Sequence, residues 1–157
     1  MDSQGEPFAV RPYTRADRAA LEAMYAGFEP KRAAQGLPPG DDAAIRRWLE
    51  RILATGTHLI AIVGGRLSGH VMLMPMEGAT VELANFVHQS VRDRGIGTAL
   101  NRIAIDAARA CGAQRVWLSV EPSNRAAIKS YERAGFRRLP GSLWAPEMEM
   151  AIELGAA

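Results

Sequence analysis

The amino-acid sequence predicts one domain of the α/β (α+β) class, a mixed and mostly antiparallel sheet flanked by helices. Three observations carry that prediction. The chain's 157 residues and 17.0 kDa suit a single core, because a domain of about 150 residues buries roughly 68–70% of the surface its unfolded chain exposes. Three strand signals follow one another between His58 and Val87, with a glycine pair after the first, which is the pattern of an antiparallel meander. Beyond them a helical stretch separates two further strand signals, so those two strands run parallel.

Taken in order, Phe8 to Tyr13 alternates as a strand, and Thr14-Arg15-Ala16-Asp17 has the spacing of a capping box opening a helix to about Phe28. Leu21, Met24, Tyr25 and Phe28 share its apolar face. Glu29-Pro30 through Pro38-Pro39-Gly40 is rich in chain breakers and reads as a loop. Asp41 or Asp42 caps a second helix, in which Ile45, Trp48, Leu49 and Ile52 recur at helical spacing. Strands then cover His58 to Val63, Leu67 to Met74 and Thr80 to Val87, the first two joined at Gly64-Gly65. Gly97 to Cys111 is a helix with Ile96, Leu100, Ile103 and Ala107 on one face, stopped by Gly112 in the left-handed conformation that favours glycine. Val116 to Val120 is a strand. Ser123 or Asn124 starts the last helix, Gly135 ends it, and Phe136 to Arg138 and Glu147 to Leu154 complete the sheet. No repeat, linker or low-complexity tract interrupts residues 1–157, which form one domain.

Composition narrows the function classes. Hydrophobic residues make up 48% and charged residues 23%, ordinary for a globular protein, and no apolar run approaches the ~20 residues of a membrane span. The N-terminal MDSQGEPFAV lacks the layout of a secretory signal, so the expected location is cytoplasmic. A net charge of +2 is mild and its basic residues are dispersed, which gives nucleic-acid binding no support. Cys111 is the only cysteine, so an internal disulfide is excluded, and it reads as a small packed hydrophobe. His58, His70 and His88 show no metal-ligand spacing, and no metal is expected.

The chemistry concentrates between Val87 and Phe136. Gly95 and Gly97 lack a Cβ and let the backbone approach a ligand, while the helix that follows turns unpaired N–H groups toward the same space. That is an anion site suited to a diphosphate, to which Arg92 and Arg94 would add ionic contacts. A dinucleotide-binding fold would want a third glycine where Leu100 stands, and a P-loop would want a lysine after the glycines.

Arg92, Gly95 and Gly97 match the Arg/Gln-x-x-Gly-x-Gly/Ala pattern of the GNAT superfamily of acyl-CoA-dependent N-acyltransferases. Asn124 to Phe136, NRAAIKSYERAGF, is similar to its second signature. The resemblance is clear over residues 58 to 154 and extends to residues 8 to 56 in layout. It implies a sheet splayed at the acyl-CoA site, where the main chain of Asn85, Phe86 and Val87 pairs with the pantetheine arm. Backbone N–H groups of Arg92, Asp93, Arg94, Gly95, Ile96, Gly97 and Thr98 would hold the diphosphate of acetyl-CoA. Asn124 would contact the pantetheine, or only cap its helix, and Ala127 would pack beside it. The Tyr131 hydroxyl would protonate the departing thiolate; a phenol of pKa ~10 does this only slightly uphill against a thiol near ~8.5.

A base is also required, because an alkylammonium near pKa 10.4 is neutral in only about one molecule in 2,500 at pH 7, a penalty of roughly 4.6 kcal/mol. In histone-type relatives a glutamate lies at the position of Val81, and in ribosomal N-terminal acetyltransferases one falls on Ser119. Glu82 is one residue from the first position, and period 2 aims it at the opposite face from Val81. Glu121 shares the parity of Ser119 and is the leading candidate for base or amine anchor. Asn85 and His70 could instead order a relaying water.

The expected function is transfer of acetyl from acetyl-CoA to an amine by direct attack in a ternary complex, with the Val87 amide polarising the thioester. The alternative is a non-catalytic acyl-CoA-binding sensor or partner module of the same fold, and a longer acyl group is a further variant. Lys31, Arg32 and Gln35 in the first interhelical loop hint at an acidic acceptor. Dimerisation is common among relatives, and the segment from Trp144 to Leu154 offers an edge strand for a homodimer.

Overall fold

The computed structural model describes residues 1–29, 38–141 and 146–155. Lys31, Arg32, Gln35 and Trp144 lie outside the described residues. The elements are β1 (Phe8–Pro12), α1 (Arg18–Ala26), α2 (Asp42–Ile52), β2 (Thr57–Val63), β3 (Arg66–Pro75), β4 (Thr80–Val87), α3 (Ile96–Ala110), β5 (Arg115–Val120), α4 (Arg125–Ala134), β6 (Arg137–Arg138) and β7 (Met148–Glu153). They build one seven-stranded sheet in the order β1-β2-β3-β4-β5-β7-β6, in which only β4 and β5 pair in parallel.

The local chemistry of each boundary explains its place. Gly64 and Gly65 take φ of 55° and 79°, which lets the β2–β3 hairpin turn in two residues. Asp41, not Asp42, caps α2, its Oδ1 accepting from the Ala44 N–H at 2.8 Å. The Asp17 carboxylate accepts from the Thr14 N–H at 2.8 Å, and the turn it closes is a short 3₁₀ segment, Arg15–Asp17, ahead of α1. Arg11 pairs with the same carboxylate at 2.7 Å and holds its pKa well below the carboxylate range.

Two cores lie on opposite faces of the sheet. Leu100, Ala104, Ile105, Ile128 and Tyr131 of α3 and α4 pack on Val71, Val116, Leu118 and Met150. Leu21, Tyr25, Ile45 and Leu49 of α1 and α2 pack on Ile60, Met72 and Phe86. Two expectations are corrected. Ile103 is 39% exposed, and Asn101, Ala104, Ile105 and Ala108 fill the buried face of α3. Cys111 is exposed beyond the last turn of that helix and packs nowhere in the core. β7 lies between β5 and the two-residue β6, which pairs it only at Met150 and Ala151.

Candidate active site

The parallel pairing of β4 with β5 stops early. It joins Thr80, Val81 and Glu82 to Arg115, Val116 and Trp117, after which the strands part although β4 runs to Val87 and β5 to Val120. The ladder between β3 and β4 fixes which groups face the gap. His88 N–H donates to the Ser68 carbonyl and Met76 N–H to that of Thr80, so by antiparallel alternation the even-numbered residues of β4 bond to β3. Asn85 and Val87 therefore turn their N–H and C=O groups toward the gap, and Phe86 contributes its side chain rather than its main chain. Gap and surroundings form a cleft of about 810 Å³ lined by Phe28, Asn85, Val87, Gly97, Asn124 and Tyr131, among others.

At one end of the cleft the chain turns into α3. Gly95 has φ of 82° and open space where a Cβ would stand, so its left-handed backbone is what requires glycine. Gly97 is helical, and a Cβ there would make ordinary contacts at 3.6 Å with Val87 and 3.8 Å with Ser130. Asp93 also holds positive φ, at 61°. Past these residues the first turn of α3 presents its unpaired N–H groups, an arrangement that favours anions.

The two arginines expected to strengthen that site are engaged elsewhere. Arg92 donates through Nε to the Val87 carbonyl at 2.9 Å and through Nη2 to the Glu29 carbonyl, and its guanidinium lies 5.0 Å from the centre of the Phe28 ring. Arg94 is held by Asp2 at 3.3 Å and Glu6 at 2.9 Å. Both guanidiniums thus have partners in the packing of the turn, while Arg92 also lines the cleft.

Opposite the turn, Tyr131 on α4 is buried, stands edge-on to Phe136 at 5.7 Å, and lines the cleft. Burial pushes its hydroxyl up to about 12. Asn124 caps α4, its Oδ1 accepting from the Ala127 N–H at 3.2 Å, while both residues also line the cleft. A polar chain unforeseen in the sequence braces the floor: Asn85 Nδ2 donates to the Gly97 carbonyl at 3.0 Å and to Asn101 Oδ1 at 2.7 Å, and Asn101 Nδ2 donates to Ser130 Oγ at 3.1 Å. An asparagine within the apolar stripe of α3 was the available signal.

Glu82 is the other residue that sequence reasoning set aside. Its parity does oppose Val81, but it pairs with Trp117, and cross-strand partners share a face. Glu82, Ser119 and Glu121 therefore all stand on the face of Ala84 and Phe86, and all three line the cleft with Glu147. Burial, and then the Glu147 charge, raise the Glu82 pKa above its ordinary value. Glu121 is exposed at the rim. His70 cannot share a water with Asn85: it pairs with Phe86, on the opposite face, and is fully buried between Tyr25 and His58.

Residues 20–136 match the model of the acetyltransferase (GNAT) family. No curated protein matches the chain in sequence. Among solved structures, the GNAT domain of S. lividans PAT superposes with a TM-score of 0.80 at 22% identity, covering 98% of this chain and 94% of that one. A putative acetyltransferase from Salmonella typhimurium, yncA, solved with its cofactor acetyl-CoA, gives 0.74 at 25% identity, with 94% of each chain covered. The ribosomal-protein-S18-alanine N-acetyltransferase of Escherichia coli gives 0.73 at 19% identity, with 96% of each covered.

Proposed function

Because the chain belongs to the GNAT acetyltransferase family, we propose that it moves an acetyl group from acetyl-CoA to an amine by direct attack within a ternary complex. The observation that carries this reading is the parting of β4 from β5 beside the glycine turn, with the Tyr131 hydroxyl in the same cleft. The pantetheine arm pairs with the gap-facing groups of Asn85 and with the Val87 N–H, while Arg92 keeps the Val87 carbonyl. N–H groups from Gly95 through Thr98 hold the diphosphate, and Asn124 and Ala127 flank the arm. The Val87 N–H also polarises the thioester carbonyl as charge develops on it.

Each proton has a named destination. Glu121 at the rim anchors the incoming ammonium, and Glu82, poised by its raised pKa, takes the proton whose loss frees the nitrogen lone pair for attack, while the second proton, lost from nitrogen once the N–C bond has formed, replaces the one Tyr131 gives up. As the C–S bond breaks, Tyr131 gives its proton to sulfur. The buried Tyr131 phenol at about 12 and a free thiol near ~8.5 would differ by about 3.5. The thiolate leaves into the same buried space, however, where desolvation raises its own pKa too. Glu82, Glu121 and Glu147 on one wall favour an amine carried on a cationic molecule over an acidic one. Glu82 also supplies the carboxylate whose lack motivates a non-catalytic acyl-CoA module. The test is calorimetric titration with acetyl-CoA, followed by detection of released CoA thiol across polyamines, basic peptides and acidic amines. Saturable binding with thiol release from a cationic amine is expected. No binding overturns the reading entirely, and binding without release from any amine leaves the sensor module.

A further inference from the structure

The diphosphate turn grips the end of α1. Gln89, in the 3₁₀ segment Gln89–Val91 that leads into the turn, donates from Nε2 to the Gly27 carbonyl at 2.6 Å and accepts at Oε1 from the Glu29 N–H at 3.0 Å. Arg92 adds a bond to the Glu29 carbonyl and covers the Phe28 ring. A helix end leaves carbonyls without intrahelical partners, and a cation there is favourable on charge grounds as well. Both side chains are thus fastened to one three-residue stretch 60 to 63 residues earlier. Within that stretch Phe28 lines the acceptor side of the cleft and packs against Phe86 at 5.9 Å and Tyr25 at 5.8 Å. Arg92 meanwhile holds the Val87 carbonyl, on the strand whose amide faces the gap. One guanidinium therefore joins the acyl-CoA strand, the diphosphate turn and the acceptor wall.

We propose that Gln89 and Arg92 are positioning residues that couple the two substrates: acetyl-CoA, by ordering the turn, fixes Gly27–Glu29 and so forms the acceptor wall before the amine arrives. This rests on the acyl-CoA reading above. A coupling of this kind is reciprocal, so a bound acceptor tightens acetyl-CoA by the same factor. In this chain the motif arginine acts through carbonyls, and its contribution to acyl-CoA affinity by charge is secondary. Geometry separates the two roles, because a lysine keeps the charge but cannot span the Val87 and Glu29 carbonyls while lying flat on Phe28.

The experiment reads amide hydrogen exchange at Glu29, whose N–H is itself a bond of the clamp, with and without saturating acetyl-CoA. It needs no acceptor. In the wild-type protein acetyl-CoA slows exchange at Gly27–Glu29 by about tenfold or more. Gln89→Ala, a change outside the cleft lining, abolishes that slowing while its acetyl-CoA Kd stays within about twofold, and Arg92→Lys also abolishes the slowing. Once an acceptor is known, Gln89→Ala raises its KM about tenfold or more with little change in kcat. Exchange at Glu29 that ignores acetyl-CoA in the wild type, or slows equally in Gln89→Ala, overturns the proposal. So does an Arg92→Lys variant that keeps the slowing. A wild-type protein that binds no acetyl-CoA fails the functional reading instead, and the two failures are therefore distinct.

Discussion

Replacing His70 perturbs the interior behind the acceptor wall, and its consequence can be worked from the hydrogen bonds. His58 Nε2 lies 2.8 Å from the Thr55 carbonyl, which can only accept, so in the neutral ring Nδ1 is the acceptor. His70 Nε2, 3.0 Å away, must then donate to it, and His70 Nδ1 accepts from the Tyr25 hydroxyl at 2.6 Å. The carbonyl at one end thus sets every tautomer in the chain. Burial, and then the neighbouring His58, lower the His70 pKa from 6.5 to about 3. The unfolded chain therefore takes up the proton first. This stabilisation is complete above the unfolded pKa and is lost as pH falls from there through the folded value. Inside the window each pH unit removes about 1.4 kcal/mol, which amounts to roughly 2–3 kcal/mol by a pH of about 4.5. Asp17 does not confuse the comparison, because its contribution is lost only as pH falls through its unfolded value of 3.8 and below, and it is lost equally with and without His70.

The assay is urea unfolding of the wild type and of His70→Phe at about pH 7 and about pH 4.5. His70→Phe starts less stable, since it leaves the Tyr25 hydroxyl and His58 Nδ1 without their partner, at about 1–3 kcal/mol for each buried group. Between the two pH values it should lose roughly 2–3 kcal/mol less than the wild type does. Equal losses would show that His70 does not carry this pH dependence. An NMR titration of the wild-type His70 ring checks the same point without a variant: a midpoint near the unfolded value would show that the ring is not held neutral.

The cleft supplies further expectations. Tyr131→Phe should lower kcat about 10²–10⁴-fold with acetyl-CoA binding retained, and unchanged turnover would remove the hydroxyl from the chemistry. Glu82 must be ionised to act as base, so kcat/KM should fall as pH drops through its raised pKa; Glu82→Gln should abolish that acid limb, and a limb that persists assigns the base elsewhere. Gly95→Ala forces an alanine to φ near 82°, costing about 1–2 kcal/mol in a thermal or urea melt and weakening acetyl-CoA. Gly97→Ala meets only ordinary contacts and should cost less, so the reverse order would discredit the geometry of the turn.

Much of the fold was legible because its signals are local. Period-2 runs placed β2, β3 and β4 within a residue or two, and Gly64-Gly65, Gly112 and Gly135 marked turns that need positive φ. What failed depended on tertiary neighbours. α3 packs against both the sheet and α4, which widens its buried arc and selects Ile105 over Ile103, a choice that helical spacing alone cannot make when isoleucines occur on adjacent faces. Strand order is likewise not written in β7: only its pairing with both β5 and β6 shows that it stands between them.

The site divides along the same line. Its main-chain parts were readable, since a glycine in a strand-to-helix turn announces both a close approach and a set of free N–H groups. Its charges were not. Arg94 is neutralised by Asp2 and Glu6, 92 and 88 residues away in sequence, and Arg92 is claimed by a carbonyl 63 residues away. The parity of Glu82 was read correctly within its own strand, yet the face it occupies has meaning only through the register that sets it beside Trp117. A formal positive charge near a glycine turn is therefore weak evidence for an ionic contact to phosphate until its partners are known. In this protein both guanidiniums already have protein partners, Arg94 two carboxylates and Arg92 two carbonyls, so their place beside the glycine turn does not by itself make them phosphate contacts.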